Sequence, residues 1–525
     1  MRDCFARWFS LTIVFLLFSN LLLAGGCLPS EAASPALSPQ AAVSTSPTSP
    51  TITEPIAPQP ATATPQPAPT ATPNLIPQYA LEAELDYARH FLRVNQRITY
   101  YNPTAHALSE LVLVVEPNRY PGTFRLNSLV VAGTEMKEKV IWQEINQLRL
   151  PLATALLPGE GLEIAIAYEL NLPSPQPNPA TRPVPFGWTA LQTNLVDWYP
   201  FIPPYREETG WLAHRPGYFG EHLVSEVADY EVVIRIKDGL NVRTTAAAQP
   251  LGLPSPGELT LAASAPAHSE NGAFFFSLSK GRSFAWSVSH LYTVTAAQVG
   301  DTAVYSYAFP AHETAGTAAL QTTAQALELY QRLFGDYPHP TLSVVEADFL
   351  DGMEYDGLVF LSKGFYNLYQ GTPTEYLIAI AAHETAHQWW YALVGNDQAL
   401  DPWLDEALCT YSEKIYYEQV APEALPWWWT YRIDFYQPSG WINGSIYDYT
   451  AFPNAYEAYR NAVYLNGAKF LEEVRQSLGD EAFFAFLRQY AEMYRHRLAT
   501  ASDFVELLKT FAAPELETIL HKYLR

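Results

Sequence analysis

The pattern that constrains this chain most is His383-Glu384-Thr385-Ala386-His387, which eighteen residues separate from Glu406. No proline or glycine interrupts residues 374–394, and Gly395 follows, so one helix is expected over 374–394. Side chains four residues apart share a helix face, so both imidazoles can bind one ion. A second helix that opens near Pro402 is expected to supply Glu406 as the third ligand.

These residue types favour a catalytic metal site. Two neutral nitrogens and one carboxylate leave a fourth position for water, which is the pattern of a catalytic rather than a structural zinc ion. Glu384 lies beside a ligand and is placed to take a proton from that water. The residues therefore predict a hydrolytic site with one zinc ion bound by His383, His387 and Glu406, although cobalt or manganese could use the same ligands.

Composition limits the possible binding partners and the possible disulfides of the chain. The chain of 525 residues has a formal net charge of -23, which argues against a nucleic-acid partner because phosphate binding needs a basic surface. Its cysteines are Cys4, Cys27 and Cys409, and only Cys409 lies in the part expected to fold. That part is therefore expected to contain no disulfide, and Cys409 is expected to be a small buried residue.

The N-terminal region carries export signals. Residues 1–27 combine Arg2 and Arg7 with an apolar run over 9–23, and they end in Ala24-Gly-Gly-Cys27, which resembles a bacterial lipoprotein cleavage box. We expect lipidation of Cys27 and an extracytoplasmic location at the bacterial cell surface. An uncleaved transmembrane anchor is the alternative, since Ala24 stands where such a box usually has leucine.

The remainder divides into three segments. Residues 28–78 are rich in Pro, Ala, Thr and Ser and are predicted to form a disordered tether. Residues 79–290 contain strands with alternating apolar residues, such as Leu92, Val94 and Ile98, and predict an antiparallel β-sandwich. Helical periodicity dominates residues 291–525. The fold class is therefore multidomain α+β, with the β-sandwich domain followed by a mainly helical catalytic domain.

Three motifs in order resemble those of the aminopeptidase N family of zinc peptidases. Asp351-Gly-Met-Glu-Tyr355 is similar to the family's G-x-M-E-N, and Trp403-Leu-Asp-Glu-Ala407 to its W-L-N-E-G, after the H-E-x-x-H motif. Tyr464-Leu-Asn-Gly-Ala468 is similar to the tyrosine motif Y-E-K-G-A. The resemblance covers about 79–525. It implies a saddle-like sandwich, a thermolysin-like catalytic domain and removal of N-terminal residues from peptides.

The resemblance also implies individual roles. Glu354 would bind the substrate's α-amine through a charge-assisted bond, and the backbone at Gly352 and Met353 would run along the substrate. Glu384 would be the general base, and Tyr464 would stabilise the charge that grows on the carbonyl oxygen. A second amine-binding residue is expected from the sandwich, and Gln192, Glu207 and Glu208 are the candidates that the sequence offers.

Departures from the motifs leave alternatives open. Tyr355 replaces an asparagine and is expected to reshape the first substrate pocket. The chain continues for about 60 residues after Tyr464, so the large C-terminal helical domain of longer family members is expected to be absent and the cleft to be more open. The alternatives are therefore a zinc endopeptidase on the same site and a non-catalytic surface protein that binds peptides. Oligomeric state is not predicted.

Overall fold

The structure is a computed structural model, and it describes residues 76–174, 185–237, 241–245, 250–511 and 514–525. The predicted leader with Cys27 and the predicted tether up to residue 75 lie outside the described residues. None of the helices in the described ranges combines the length and the hydropathy that a membrane span requires.

The first half of the described chain consists of strands. They are β1 (Gln78–Asp86), β2 (Phe91–Tyr101), β3 (Leu108–Val114), β4 (Phe124–Val131), β5 (Thr134–Glu135), β6 (Ile141–Glu144), β7 (Gln147–Leu156), β8 (Gly161–Asn171), β9 (Gly187–Trp188), β10 (Thr193–Leu195), β11 (Tyr205–Arg206), β12 (Gly210–Trp211), β13 (Ala228–Ile236), β14 (Asn241–Thr244), β15 (Glu258–Ala263), β16 (Ala267–Glu270), β17 (Ala273–Gly281) and β18 (Trp286–Ser289). An eight-stranded sheet has the order β16-β17-β13-β1-β2-β8-β4-β5.

Alternation along the strands places this sheet over the core. In β2, the side chains of Leu92, Val94 and Ile98 are fully buried, while Arg93 and Arg97 between them are exposed. A side-chain period of two gives one apolar face, and that face packs against smaller sheets β14-β15-β18-β10-β9 and β3-β7-β6. The predicted β-sandwich is confirmed. Its pairing is mostly antiparallel, but β1 pairs with β13 in parallel.

The second half combines a sheet with helices. Its elements are β19 (Thr293–Val299), β20 (Thr302–Ala308), α1 (Glu313–Phe334), β21 (Thr341–Ala347), β22 (Gly352–Tyr355), β23 (Leu358–Ser362), α2 (Lys363–Leu368), α3 (Tyr376–Ala386), β24 (Val394–Gly395), α4 (Trp403–Val420), α5 (Leu425–Trp427), α6 (Ala455–Arg460), α7 (Gly467–Leu478), α8 (Asp480–Met493), β25 (Arg497–Leu498), α9 (Ala501–Lys509) and α10 (Leu516–Tyr523). Short π-helical stretches cover Trp428–Ile433 and Asn461–Asn466.

The sheet of this half has the order β19-β20-β21-β23-β22, so β22 is an edge strand. Tyr355, Leu358 and Phe360 from β22 and β23 belong to the same apolar core as the sandwich strands. This shared core fixes the edge strand between the sandwich and the helices. The expected succession of a β-sandwich and a mainly helical region is therefore what the structure shows.

The helix that carries the histidines is shorter than the sequence predicts. The prediction of one helix over 374–394 is wrong at its C-terminal end, because α3 stops at Ala386 and His387 is its C-cap. Turns follow, and they aim the carbonyl oxygen of Trp390 at Nδ1 of His387, 3.1 Å away. The chain thus leaves the helix to supply a hydrogen-bond acceptor to the second histidine. The second helix begins as predicted, with Pro402 as the N-cap of α4.

A buried arginine joins the sandwich to the helical half. Arg282 follows β17, and its guanidinium donates to backbone carbonyls of three distant segments, namely Ser225 at 2.8 Å, Tyr391 at 2.7 Å and Arg497 at 2.7 Å. With a fourth bond to the carbonyl of Ala392 at 3.1 Å, these hydrogen bonds come from three nitrogens of the planar guanidinium, whereas lysine has three N–H donors on a single nitrogen. The contact therefore depends on guanidinium geometry as well as on charge.

We predict that Arg282→Lys destabilises the protein. Lysine keeps the charge but leaves at least one carbonyl without a donor, at a cost of about 1–3 kcal/mol for each such group. The thermal midpoint, measured by calorimetry, is expected to fall by about 1–3 °C. Arg235→Lys, on the exposed face of β13, is the control and should leave the midpoint unchanged. An unchanged midpoint in Arg282→Lys would contradict this account of the contact.

Candidate metal centre and active site

Three buried donor atoms converge where α3 meets α4. Nε2 of His383 lies 3.2 Å from Nε2 of His387 and 3.2 Å from Oε2 of Glu406, and the third separation is 3.6 Å. A tetrahedral zinc site with bonds of about 2.0–2.1 Å has ligand–ligand edges of about 3.3–3.4 Å. The predicted ligands are therefore brought together at the spacing that one such ion requires.

The opposite nitrogens of both rings are already engaged. Nδ1 of His383 lies 2.9 Å from Oε1 of Glu413, and Nδ1 of His387 lies 3.1 Å from the carbonyl oxygen of Trp390. Both acceptors require Nδ1–H, so in the neutral rings the Nε2 lone pairs point into the cluster. Acceptors of this kind orient histidines that bind metals. The donor set therefore fits a divalent zinc ion.

Glu413 accepts further hydrogen bonds from two neighbouring side chains. Arg432 donates two hydrogen bonds to it, at 2.8 and 2.9 Å, and the indole Nε1 of Trp428 donates at 2.9 Å. Burial raises the pKa of Glu413, but Arg432 and His383 outweigh burial, and the pKa lies below its ordinary value. Glu413 is therefore an anion that accepts from His383 and fixes the orientation of that ring.

The electrostatics of the ligands follow from the same contacts. Burial opposes ionisation of Glu406, but the adjacent imidazoles of His383 and His387 lower its pKa well below the ordinary value. Burial raises the pKa of Glu384 to about 8. A dication at the three ligands would act in the opposite direction and favour the carboxylate form of Glu384.

Glu384 points into the cavity beside the ligands. Its Oε2 is buried without a hydrogen-bond partner in the described residues. The backbone of Gly352 in β22 passes so close that a Cβ there would lie 2.0 Å from Oε1 of Glu384. Glycine at this position is therefore a steric requirement for the placement of Glu384. Its missing side chain lets the carboxyl group of Glu384 approach the backbone of β22.

Glu354 lies on the same edge strand. It is buried, and its Oε1 accepts a hydrogen bond of 3.2 Å from Nε2 of Gln398. Gln398 also donates to Asp405 at 2.9 Å, and Asp405 accepts from the backbone N–H of Glu406. This chain of contacts links the predicted amine-binding carboxylate to the helix that carries a ligand.

Tyr464 lies on the π-helical stretch Asn461–Asn466. Its ring stacks on that of His383 with centroids 6.0 Å apart, and its hydroxyl donates to Oε1 of Glu406. The extra residue of a π-turn rotates the following side chains about the helix axis, and such turns are frequent at functional sites. The phenol therefore lies next to the metal-binding atoms, where the resemblance implied it.

A cavity of about 170 Å³ connects these groups. Of the predicted site residues, His383, His387, Glu406, Glu384, Glu354 and Tyr464 line it, while Met353 lines a second cavity on the other side of Glu354. The proposed second amine anchors do not reach it. Gln192 is buried against Asn194 and Tyr292, Glu207 bonds Ala105, and Glu208 is exposed.

Sequence reasoning missed Glu413 and Arg432. Glu413 follows Glu406 by seven residues, or about two helical turns, so the sequence indicated that both lie on the same face of α4. Arg432 had no such signal, since it reaches Glu413 only through the tertiary fold. Three carboxylates from the sandwich region, Glu116, Asp197 and Glu221, were also missed, and they line the second cavity beside Glu354.

Comparison with known proteins agrees with this geometry. Residues 318–523 match the profile of the Peptidase family M1 domain. This part of the chain therefore resembles the domain of that peptidase family. The match contains every residue that lines the metal cavity, from Asp351 to Tyr464.

Similar sequences are aminopeptidases. Aminopeptidase N of Lactobacillus delbrueckii subsp. lactis is 25% identical over 291 residues, which are 51% of this chain and 34% of that protein. Aminopeptidase 2, mitochondrial, of Saccharomyces cerevisiae is 25% identical over 230 residues, which are 41% of this chain and 24% of that protein. The alignments thus span about a third or less of the length of these relatives.

Solved structures share the architecture over most of the chain. A mutant of the M1 zinc metallopeptidase from Deinococcus radiodurans superposes with a TM-score of 0.58 at 19% identity, covering 86% of this chain and 94% of that one. The same enzyme bound to Tyr-Ser-Ala gives a TM-score of 0.55 and covers 85% and 93%. The β-rich domain followed by a helical domain is therefore the two-domain fold of M1 metallopeptidases.

We predict that Glu413→Gln weakens zinc binding. The amide cannot hold the His383 ring as an anion does, and loss of such a partner lowers metal affinity by about 10- to 100-fold. Competition with a zinc-chelating dye measures the dissociation constant directly, without an activity assay. Glu418→Gln, farther along α4 and paired with Lys414 and Arg475, is the control. Equal affinity in both variants would show that Glu413 does not support the ligand.

Proposed function

We propose that this protein is a zinc-dependent aminopeptidase that hydrolyses N-terminal residues from peptides and uses one metal ion. The observation that carries the proposal is the convergence of His383, His387 and Glu406 in one buried cavity with Glu384 and Glu354. The aminopeptidase names of the M1 relatives support it, as does the Tyr-Ser-Ala bound by the Deinococcus radiodurans enzyme.

The zinc ion bound by the three ligands would supply a Lewis acid and a water of lowered pKa. Glu384 takes the proton of the attacking water on its buried Oε2, which has no hydrogen-bond partner in the described residues. The same carboxyl then passes the proton to the leaving amine, as general acid–base catalysis requires. No covalent intermediate with the protein is needed.

Two further groups act on the substrate. The carboxylate of Glu354 binds the protonated α-amine of the substrate through a charge-assisted bond, and Gln398 holds that carboxylate in place. The hydroxyl of Tyr464 donates to the carbonyl oxygen as negative charge grows there, after exchanging its bond to Glu406. The edge strand β22, with Gly352 and Met353, pairs with the substrate backbone.

The proposed location rests on the sequence alone. The leader over residues 1–27 with its lipoprotein-like box supports export and membrane attachment through a lipid on Cys27, or through an uncleaved anchor. Fractionation of cells that express the full chain tests this proposal. Recovery of the protein in the cytoplasmic fraction would contradict both forms of attachment.

The test of the function compares a short peptide that has a free α-amine with its N-acetylated form. We expect the protein to cleave only the free peptide, because Glu354 binds the ammonium group. Glu354→Gln is expected to lower kcat/KM for the free peptide by about 100-fold, since an amide does not balance the charge. Glu328→Gln, exposed on α1, is the matched control and should retain the wild-type value.

Other outcomes favour the alternatives. Equal cleavage of the free and acetylated peptides by the wild-type protein would replace the aminopeptidase with a zinc endopeptidase. Absence of cleavage by protein that demonstrably contains zinc would favour a non-catalytic surface protein that binds peptides.

A further inference from the structure

A second cavity adjoins the metal site on the far side of Glu354. Its volume is about 70 Å³, and Glu354 and Met353 of the edge strand lie in its wall. A buried water needs about 10–15 Å³ measured in this way, so the cavity accommodates about five non-hydrogen atoms. That number is similar to the outer part of a lysine or methionine side chain.

The lining of this cavity combines aromatic walls with a charged side. Tyr120, Tyr199, Phe201 and Tyr391 contribute rings, and these suit the methylene stem of a long side chain. Four carboxylates line the cavity, on Glu116, Asp197, Glu221 and Glu354, against the two guanidiniums of Arg119 and Arg282. The cavity therefore favours a cation over an anion.

The two guanidiniums are already engaged. Arg119 forms an ion pair with Glu116, which also accepts hydrogen bonds from Asn146 and His222. Arg282 donates to backbone carbonyls of three segments, as described above. No ion pair in the described residues includes Asp197, and Arg119 lowers the pKa of that carboxyl through space less than burial and Glu116 raise it.

Asp197 has a single direct side-chain donor in the described residues. The Tyr355 hydroxyl donates to its Oδ2 at 3.2 Å, whereas a carboxylate can accept about four hydrogen bonds. Burial, followed by the neighbouring carboxylate of Glu116, raises the pKa of Asp197 to about 7. A cation in the cavity would offset both the burial of Asp197 and its repulsion by Glu116, and so would lower the pKa of Asp197.

The backbone at Asp197 is held in an uncommon conformation. Its φ of 47° lies in the left-handed region, which non-glycine residues adopt rarely and which aspartate and asparagine tolerate best. Such positions persist where the surrounding fold enforces them, and they concentrate at ligand-binding sites. Here the conformation accompanies a carboxylate that lines the cavity and accepts from Tyr355.

We propose that this cavity receives the side chain of the substrate's first residue and that Asp197 selects a lysine there. The inference rests on the proposed aminopeptidase function, since Glu354 must hold the α-amine for the first side chain to enter. Asp197 then forms a charge-assisted hydrogen bond with the ammonium group of that lysine. Tyr355, which replaces the asparagine of the family motif, positions Asp197 through its hydroxyl.

The test uses aminoacyl-coumarin amides of lysine and norleucine, which share the same four-carbon stem and differ in the ammonium group. We expect the wild-type protein to prefer lysine, and Asp197→Asn to lower the lysine-to-norleucine ratio of kcat/KM by about tenfold. Asparagine is the matched replacement because it also tolerates the left-handed backbone. Tyr355→Phe is a second variant and should lower the ratio less, since it keeps the carboxylate.

The control is Asp229→Asn, which removes an aspartate of β13 that accepts from Ser279 and Lys280 and does not line the cavity. It should leave the ratio at the wild-type value. An Asp197→Asn variant that lowers kcat/KM equally for both amides would overturn the inference, because Asp197 would then act on the α-amine or on the fold.

A wild-type protein that hydrolyses both amides equally would also overturn it, while leaving the aminopeptidase function standing. Hydrolysis of neither amide by zinc-loaded protein would mean that the proposed function fails, and this inference would fail with it. The two failures are therefore distinguished within one experiment.

Discussion

The buried carboxylate of Glu413 holds together the parts on which the metal site depends. It accepts from His383, Arg432 and Trp428, so it joins the C-terminal part of α3, the middle of α4 and the π-helical stretch that follows. A buried charge of this kind is costly unless it is paired and hydrogen-bonded. The ion pair with Arg432 offsets that cost. As a result, the orientation of the His383 ring does not depend on solvent.

The substrate side of the site depends on a different constraint, the position of the edge strand β22. The apolar core of the sandwich extends to Tyr355 and Phe360. Packing against residues that take no part in the chemistry therefore fixes the position of the strand. From that strand Glu354 faces two cavities, and Gly352 allows Glu384 to approach the backbone. The sandwich therefore acts as the support of the substrate-binding edge.

Local spacing explains what could be predicted. His383 and His387 share a helix face, and Glu406 follows on the next helix. Alternation of apolar residues in β2 and β8 identified the sandwich. Each of these signals lies within a short stretch of the chain. The contacts that remained hidden join distant residues. Tyr355 and Asp197 are 158 positions apart, and no local pattern reports their hydrogen bond. The early end of α3 was hidden for a similar reason, since the turn serves His387.

The most direct measurement of the central claim follows product release from a free-amine peptide by mass spectrometry. It compares protein stripped of metal, protein reloaded with one equivalent of zinc, and zinc-loaded Glu384→Gln. The account predicts release of single N-terminal residues in order by the reloaded protein, none by the stripped protein, and a loss of about 100- to 10,000-fold in the variant. Internal cleavage products, or hydrolysis that persists without metal, would contradict it.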